Sequence, residues 1–328
     1  MNALMHLSPT LGTDMLQLAC PQCQTVLGCI STAMEQHSGY VCPNCEMHLQ
    51  QRGGIWEATV PARARYFEKF LREYSTVREA EGRGSNSSDY YLALPYRDVT
   101  GHNQSQWRIR GRSFRTFERD VLPFIERKGE ALRVLDLGAG NGWLSYRLAL
   151  RGHSPVAVDL LTNNRDGLGA ASHYREKLRT LFPRFRAEHD RLPFGDDQFE
   201  CAIFNASFHY SENAADTLKE AVRCVRDGGL VVIIDTPWYS EEKSGLQMIK
   251  ERKSAFKKRF GFASDALRSV EFLTDERLDS LARECGIAWR VIRPWYGFAW
   301  AFRPYIAAIQ GKREPSRFRI YAAQVNKA

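Results

Sequence analysis

No apolar run in this 328-residue chain approaches the roughly 18 residues that a membrane span requires. The first twenty residues have neither the basic start nor the unbroken apolar middle of a secretory signal. These absences predict a soluble, cytoplasmic chain with no membrane span. Cysteine is also scarce outside two places. Of eight, four stand in two C-x-x-C pairs, while Cys29, Cys201, Cys224 and Cys285 are scattered, a distribution that suits metal binding better than a disulfide framework. Positive charge is thin where those pairs lie: residues 1–60 hold one Arg against four acids, or −3. The net +8 arises instead from +5 over 61–134, −2 over 135–240 and +8 over 241–328. A basic excess placed this way bears on solubility and weak anion attraction, and by itself it defines no partner.

Cys20, Cys23, Cys42 and Cys45 fall as C-x2-C-x18-C-x2-C, inside the spacing window of a tetrahedral zinc site. Each pair makes a tight knuckle, so four thiolates converge on one ion and the residues between supply a hairpin. Four thiolates leave no open coordination position, which predicts a structural Zn²⁺ and not a Lewis acid. About 40 residues cannot build a core without such a staple. Zn²⁺ with four thiolates carries a formal −2, so phosphate gripping by this module is unfavourable. Cys29 is out of register with the set.

The stretch VLDLGAGNGWLSYRLA carries D-x-G-x-G-x-G: Asp136, Gly138, Gly140 and Gly142, with Ala139 and Asn141 between the glycines. An apolar strand over 132–137 precedes it and a helix over 143–151 follows. Bare backbone there admits a ligand closely, and the helix N-terminus favours a negative group. PVAVDL (155–160) reads as a second buried strand ending in Asp159, with a third near 185–188. CAIFNASFHY (201–210) and GGLVVIIDTPWY (228–239) read as the fourth and fifth. Helices between strands imply right-handed crossovers and a parallel sheet, an α/β fold.

VLDLGAGNGW, AVDL, DRLPF, IFNASFHY and VRDGGLVVIID, in that order, resemble the motifs of the class I S-adenosylmethionine-dependent methyltransferases over about residues 132–238. The resemblance implies a Rossmann-like fold with a seven-stranded, mostly parallel sheet, here with a small N-terminal zinc ribbon. It implies that Asp136 and the backbone of Gly138, Ala139, Gly140, Asn141 and Gly142 hold the methionine end of S-adenosylmethionine. It assigns the ribose hydroxyls to Asp159 with Leu160 beside it, the adenine amino group to Asp190 with Arg191, and a place near the methyl group to Asn205. His209 and Tyr210 are the candidates for a general base, with walling of the cofactor pocket as the alternative role. Paired acids suited to Mg²⁺ are absent near the sheet ends, as is the strand-four tetrapeptide of exocyclic-amine methylases.

The expected organisation is a ribbon over 1–60, a helical connector or lid over 61–130, and a methyltransferase domain over 131–328 with a lid-like insertion at about 239–270. Helices are expected near 66–79, 105–125 and 273–286, and final strands within 287–295 and 317–325, the last antiparallel. Trp107, Arg108, Trp238 and Tyr239 are candidate acceptor contacts. The aromatic segment PWYGFAWAFRPY (294–305) is read as a packed connection, with a dimer or lid surface as the alternative. The acceptor expected is a small molecule or lipid-like compound. RNA (rRNA or tRNA) is the alternative, supported by the basic run ERKSAFKKRF and by a general likeness to ribbon-bearing rRNA guanine methyltransferases. A non-catalytic binding scaffold is the further alternative. Nothing in the sequence sets an oligomeric state.

Overall fold

The computed structural model describes residues 14–126 and 130–327. The expected ribbon and connector ranges also take in residues 1–13 and 127–129, which lie outside the described residues. The chain opens with β1 (Met15–Ala19), β2 (Val26–Ser31), β3 (Tyr40–Val41), β4 (His48–Arg52) and β5 (Ile55–Glu57). The connector forms α1 (Pro61–Ala80), α2 (Ser88–Ala93) and α3 (Gln104–Asp120). Then follow β6 (Arg133–Leu137), α4 (Trp143–Leu150), β7 (Ser154–Asp159), β8 (Arg184–Arg186), β9 (Phe199–Asn205), α5 (Ala214–Cys224) and β10 (Val225–Ile234). The chain finishes with α6 (Glu242–Phe260), α7 (Asp275–Cys285), β11 (Trp289–Ile292), α8 (Phe298–Ala301), α9 (Arg303–Ile309) and β12 (Ile320–Gln324).

Seven strands lie in the order β11-β12-β10-β9-β6-β7-β8. Neighbours from β10 to β8 are parallel, and β12 runs antiparallel between β10 and β11. This is the expected Rossmann-like methyltransferase sheet. It does not stop at β8, because β5 adds in parallel, Ile55 opposite Arg184, and β4 and β3 extend the sheet to ten strands. The β4–β5 hairpin closes through Gly53 and Gly54 at φ +57° and +76°, the left-handed pair that a two-residue turn demands.

The ribbon therefore shares the main core. Leu16, Leu18, Leu49 and Trp56 are buried with Phe185 and Phe194, and Trp56 stacks on Phe185 with ring centres 5.9 Å apart. The Ala19 N–H donates to the Pro193 carbonyl and the Gly195 N–H to that of Gln17, each at 3.1 Å. On the opposite face, α2, α3 and α4 bury Tyr91, Trp107, Phe114 and Trp143.

Several elements depart from expectation. Between β7 and β8 the chain makes a 3₁₀ segment, Leu168–Glu176, where an α-helix was expected. A Cβ at Gly167 would stand 2.4 Å from the Leu161 carbonyl oxygen, so the backbone is pressed against the preceding loop. The fourth and fifth strands end early, at Asn205 and Ile234, because Ala206 and Asp235 turn left-handed at φ +56° and +54°. The second connector helix stops at Asp120, and Pro123 sits in a short 3₁₀ turn beyond it. The segment 294–305 is not a packed connection: Trp295, Phe298, Phe302 and Tyr305 are exposed. No helix among the described residues is long and apolar enough to cross a membrane.

Candidate active site

The carboxyl ends of β6, β7, β9 and β10 open into one cavity of about 820 Å³, near the top of the roughly 300–1,000 Å³ range of small-molecule sites. Its floor is the glycine turn. The N–H groups of Gly138 and Ala139 both donate to the Val158 carbonyl, at 2.8 and 3.0 Å, which ties the turn to β7. Gly138 has φ +75°, and a Cβ there would lie 2.2 Å from that of Ser207, so only glycine fits.

Asp159 closes the turn from the neighbouring strand. Its Oδ2 accepts the Gly140 N–H at 2.8 Å and its Oδ1 the Leu161 N–H at 2.7 Å. Burial pushes its carboxyl up to about 6. Gly138, Ala139, Gly140, Asn141, Asp159, Leu160, Asn205, His209 and Tyr210 all line the cavity. Gly142 stands behind them as the left-handed N-cap of α4.

Asp136, Asp190 and Arg191 do not line it. Asp136 lies beneath the turn, fully buried, and accepts the Ser145 N–H at 3.2 Å and hydroxyl at 2.8 Å. It caps the start of α4 from inside, and burial pushes its carboxyl up to about 7. His189, next to Asp190, lines the cavity in its place, and burial brings its imidazolium down to about 4.

A raised carboxyl pKa makes the folded state bind protons that the unfolded chain releases, so stability falls as pH rises between about 4 and 7. Melting temperature is expected to drop by about 2–4 °C for each kcal/mol so lost. Asp136→Asn keeps the acceptor for Ser145 and removes the charge. Its melting curve, followed from pH 5 to 8, should therefore be distinctly flatter than that of the wild type. An unchanged slope would exclude Asp136 as the source.

His209 and Tyr210 occupy a 3₁₀ turn after β9. Burial, reinforced by Arg110 and Arg252, lowers His209 to about 3. The imidazole is neutral but a weak proton acceptor at neutral pH, far from the match an efficient general base needs. Tyr210 packs edge-on against Tyr74, with ring centres 5.6 Å apart. Both side chains thus form wall.

The appended segments complete the enclosure. Tyr74 and Arg78 of α1, Trp107, Arg108 and Arg110 of α3, and Arg252 and Phe256 of α6 line the cavity. Arg78 pairs with buried Asp166 in the loop after β7. Trp238 and Tyr239 are buried elsewhere: the Trp238 indole N–H donates to Asp275 at 2.9 Å. A polar cluster absent from the sequence reading borders the cavity through Asp235 and Tyr296. The Ser113 hydroxyl donates to Asp235, and the Tyr296 hydroxyl stands 2.7 Å from Ser113. Asp235 Oδ2 is buried without a hydrogen-bond partner among the described residues. Arg110 has no ion pair among them and lies over Trp107 at 5.1 Å. The signal for Asp235 was its position at the carboxyl end of a parallel strand. Nothing local announced Ser113, Tyr296 or Arg110.

Far from the cavity, the sulfurs of Cys20, Cys23, Cys42 and Cys45 all lie within 4.8 Å of one another, the closest pair at 3.4 Å. Gln24 and Glu46, each just past a C-x-x-C pair, are left-handed at φ +60° and +58°, so the two knuckles share one geometry. No residue of the ribbon lines the cavity.

Residues 135–233 match the family described as methyltransferase domain. Over 106 residues the chain is 32% identical to a malonyl-[acyl-carrier protein] O-methyltransferase of Erwinia pyrifoliae, covering 32% of this chain and 38% of that protein. Over 109 residues it is 30% identical to a demethylmenaquinone methyltransferase of Mycobacterium tuberculosis, covering 33% and 43%. It thus spans about two fifths of the length of these relatives. A similar solved structure is that of an S-adenosylmethionine-dependent methyltransferase, possibly a histamine N-methyltransferase, from Thermotoga maritima. That likeness has a TM-score of 0.42 at 16% identity over 80% of this chain and 99% of that one. The match over residues 135–233 marks a stretch similar to the methyltransferase-domain family, and the strand order and glycine turn are those expected of such a domain. In this chain that domain is joined to a four-cysteine cluster at metal-binding distance.

Proposed function

We propose that the protein transfers a methyl group from S-adenosylmethionine to a small-molecule or lipid-like acceptor bound in the 820 Å³ cavity. One observation carries this reading. The cavity that holds the glycine turn and Asp159 is walled on its other side by α1, α3 and α6, segments outside the family's common core. S-adenosylmethionine supplies an electrophilic methyl on a sulfonium. The chain's own part is to align an acceptor with it and exclude water. In this reading Asp159 accepts the ribose hydroxyls, the backbone at 138–141 holds the methionine end, and Asn205 faces the methyl group. Leu160 and His189 flank the adenine, with Asp190 and Arg191 behind. Asp136 acts from below by fixing α4.

The acceptor side mixes apolar and cationic groups: Phe70, Tyr74, Trp107 and Phe256 with Arg110. That lining favours a compact organic acceptor over a polynucleotide. Within the basic run Arg252 pairs with Glu271, Lys253 pairs with Asp265 and Phe256 lines the cavity, while Lys257, Lys258 and Arg259 make no ion pair among the described residues. The four thiolates would hold a structural Zn²⁺, since a tetrahedral ion with bonds of about 2.3 Å sets its sulfurs about 3.8 Å apart.

Incubation with labelled methyl donor and fractionated cell extract tests the assignment. Label is expected in the small-molecule or lipid fraction. Label in RNA would move the reading to its rival. No label, with no calorimetric uptake of S-adenosylmethionine, would leave a scaffold.

A further inference from the structure

The segment that was expected to pack away instead presents a stripe of large apolar side chains. Phe298, Phe302, Tyr305, Ile306 and Ile309 recur at helical spacing along α8 and α9, and with Trp295 they are 49–87% exposed. Contiguous exposed apolar surface of this kind marks an interaction site. The same two helices face the cavity from their other side through Ala299, Trp300 and Arg303. The stripe therefore lies on the outer surface of a cavity wall.

Charge selects among occupants. Residues 285–313 contain five Arg or Lys and no Asp or Glu. Among them Arg293, Arg303 and Lys312 make no ion pair with described residues. Lys312 closes the end of α9, its N–H donating to the Ala307 carbonyl at 2.9 Å. Trp, Tyr and Phe beside long aliphatics, in a segment with exposed Arg293 and Lys312 and with its nearest acids, Glu251 and Glu314, held by Arg313 and Arg317, is the composition of a surface seated in the headgroup layer of an anionic bilayer.

We infer that α8 and α9 dock the protein on an anionic lipid surface, so that a membrane-resident acceptor passes into the cavity along the wall they form. This rests on the acceptor reading above and narrows it to lipid. Aromatic and aliphatic side chains enter the interface, and Arg293 and Lys312 meet the phosphates.

Flotation of the full chain with vesicles of phosphatidylcholine, alone or mixed with phosphatidylglycerol, tests it. The wild type is expected to float with the mixed vesicles. The double substitution Phe298→Ser and Ile309→Ser, at positions that do not line the cavity, should lower the bound fraction about tenfold or more with the melting temperature kept. Arg293→Glu with Lys312→Glu should erase the preference for the anionic mixture. Binding unaffected by either variant would overturn the inference. So would a wild-type dimer, seen by light scattering, that the apolar substitutions convert to monomer, since a second copy would then own the stripe. Calorimetry with S-adenosylmethionine on the same samples separates the two readings. Vesicle binding without cofactor uptake removes the enzyme and keeps the surface, and the converse does the reverse.

Discussion

Replacing Asp159 by asparagine is expected to weaken S-adenosylmethionine binding by about 100-fold or more, read by calorimetry. The carboxylate already fastens two backbone donors, Gly140 at 2.8 Å and Leu161 at 2.7 Å, one on each oxygen. Each oxygen keeps a lone pair for a ribose hydroxyl. Hydrogen bonds to a charged acceptor are worth roughly 1.5–3 kcal/mol each, so losing two yields the expected factor. Asparagine would also turn an NH₂ toward one of the two N–H donors and loosen the turn itself. The pH dependence gives a second reading. Burial puts the Asp159 carboxyl at about 6, and the hydroxyls need the ionised form. Wild-type affinity should thus hold above that pH and fall below it, while the variant stays flat. Equal affinity in both proteins would remove Asp159 from the site.

Losing the Zn²⁺ proposed for the four thiolates is expected to destabilise far more than the ribbon. Cys20 and Cys42 are fully buried in the core that also contains Phe185 and Phe194. Structural zinc contributes about 10–16 kcal/mol of apparent binding free energy in peptide modules. Even part of that, at roughly 2–4 °C per kcal/mol, lowers the melting temperature by about 10 °C or more. Cys42→Ser, or a strong chelator, should produce that drop together with loss of one zinc per chain by elemental analysis. The effect should reach the cavity, because β5 pairs with β8 and His189 follows β8 by three residues. S-adenosylmethionine affinity is therefore expected to fall with the metal. A demetallated chain that melts and binds as before would make the ribbon a bystander.

What the sequence disclosed was local. The glycine turn, Asp159 and the two cysteine pairs are short patterns whose chemistry dictates their spacing, and the structure brings the turn and Asp159 onto one cavity and the four sulfurs within 4.8 Å of one another. The alternation of strands and helices likewise announced a parallel sheet, and the family resemblance implied its seven strands, to which three ribbon strands are added. Long-range partners were silent. Ser113 and Asp235 are 122 residues apart, and Arg78 and Asp166 are 88 apart. Neither residue of a pair carries a mark of the other. The parallel addition of β5 to β8 was hidden for the same reason, since Ile55–Glu57 reads only as the end of a hairpin. For the aromatic run at 294–305 the packed connection gave way to its alternative, an exposed surface, because composition alone does not separate side chains that fill a core from side chains that face outward.

The continuity of the ribbon with the sheet bears on how this protein can be cut. A fragment beginning after residue 57 would leave β8, three residues long with the buried Phe185 at its centre, with an open ladder of amide and carbonyl groups. Unguarded edges of that kind recruit other chains. As built, the sheet finishes instead on the two-residue β3, too short to template a neighbour. The cysteine module thus works as a hem, and a trimmed catalytic domain is a poor starting point for crystallisation or engineering.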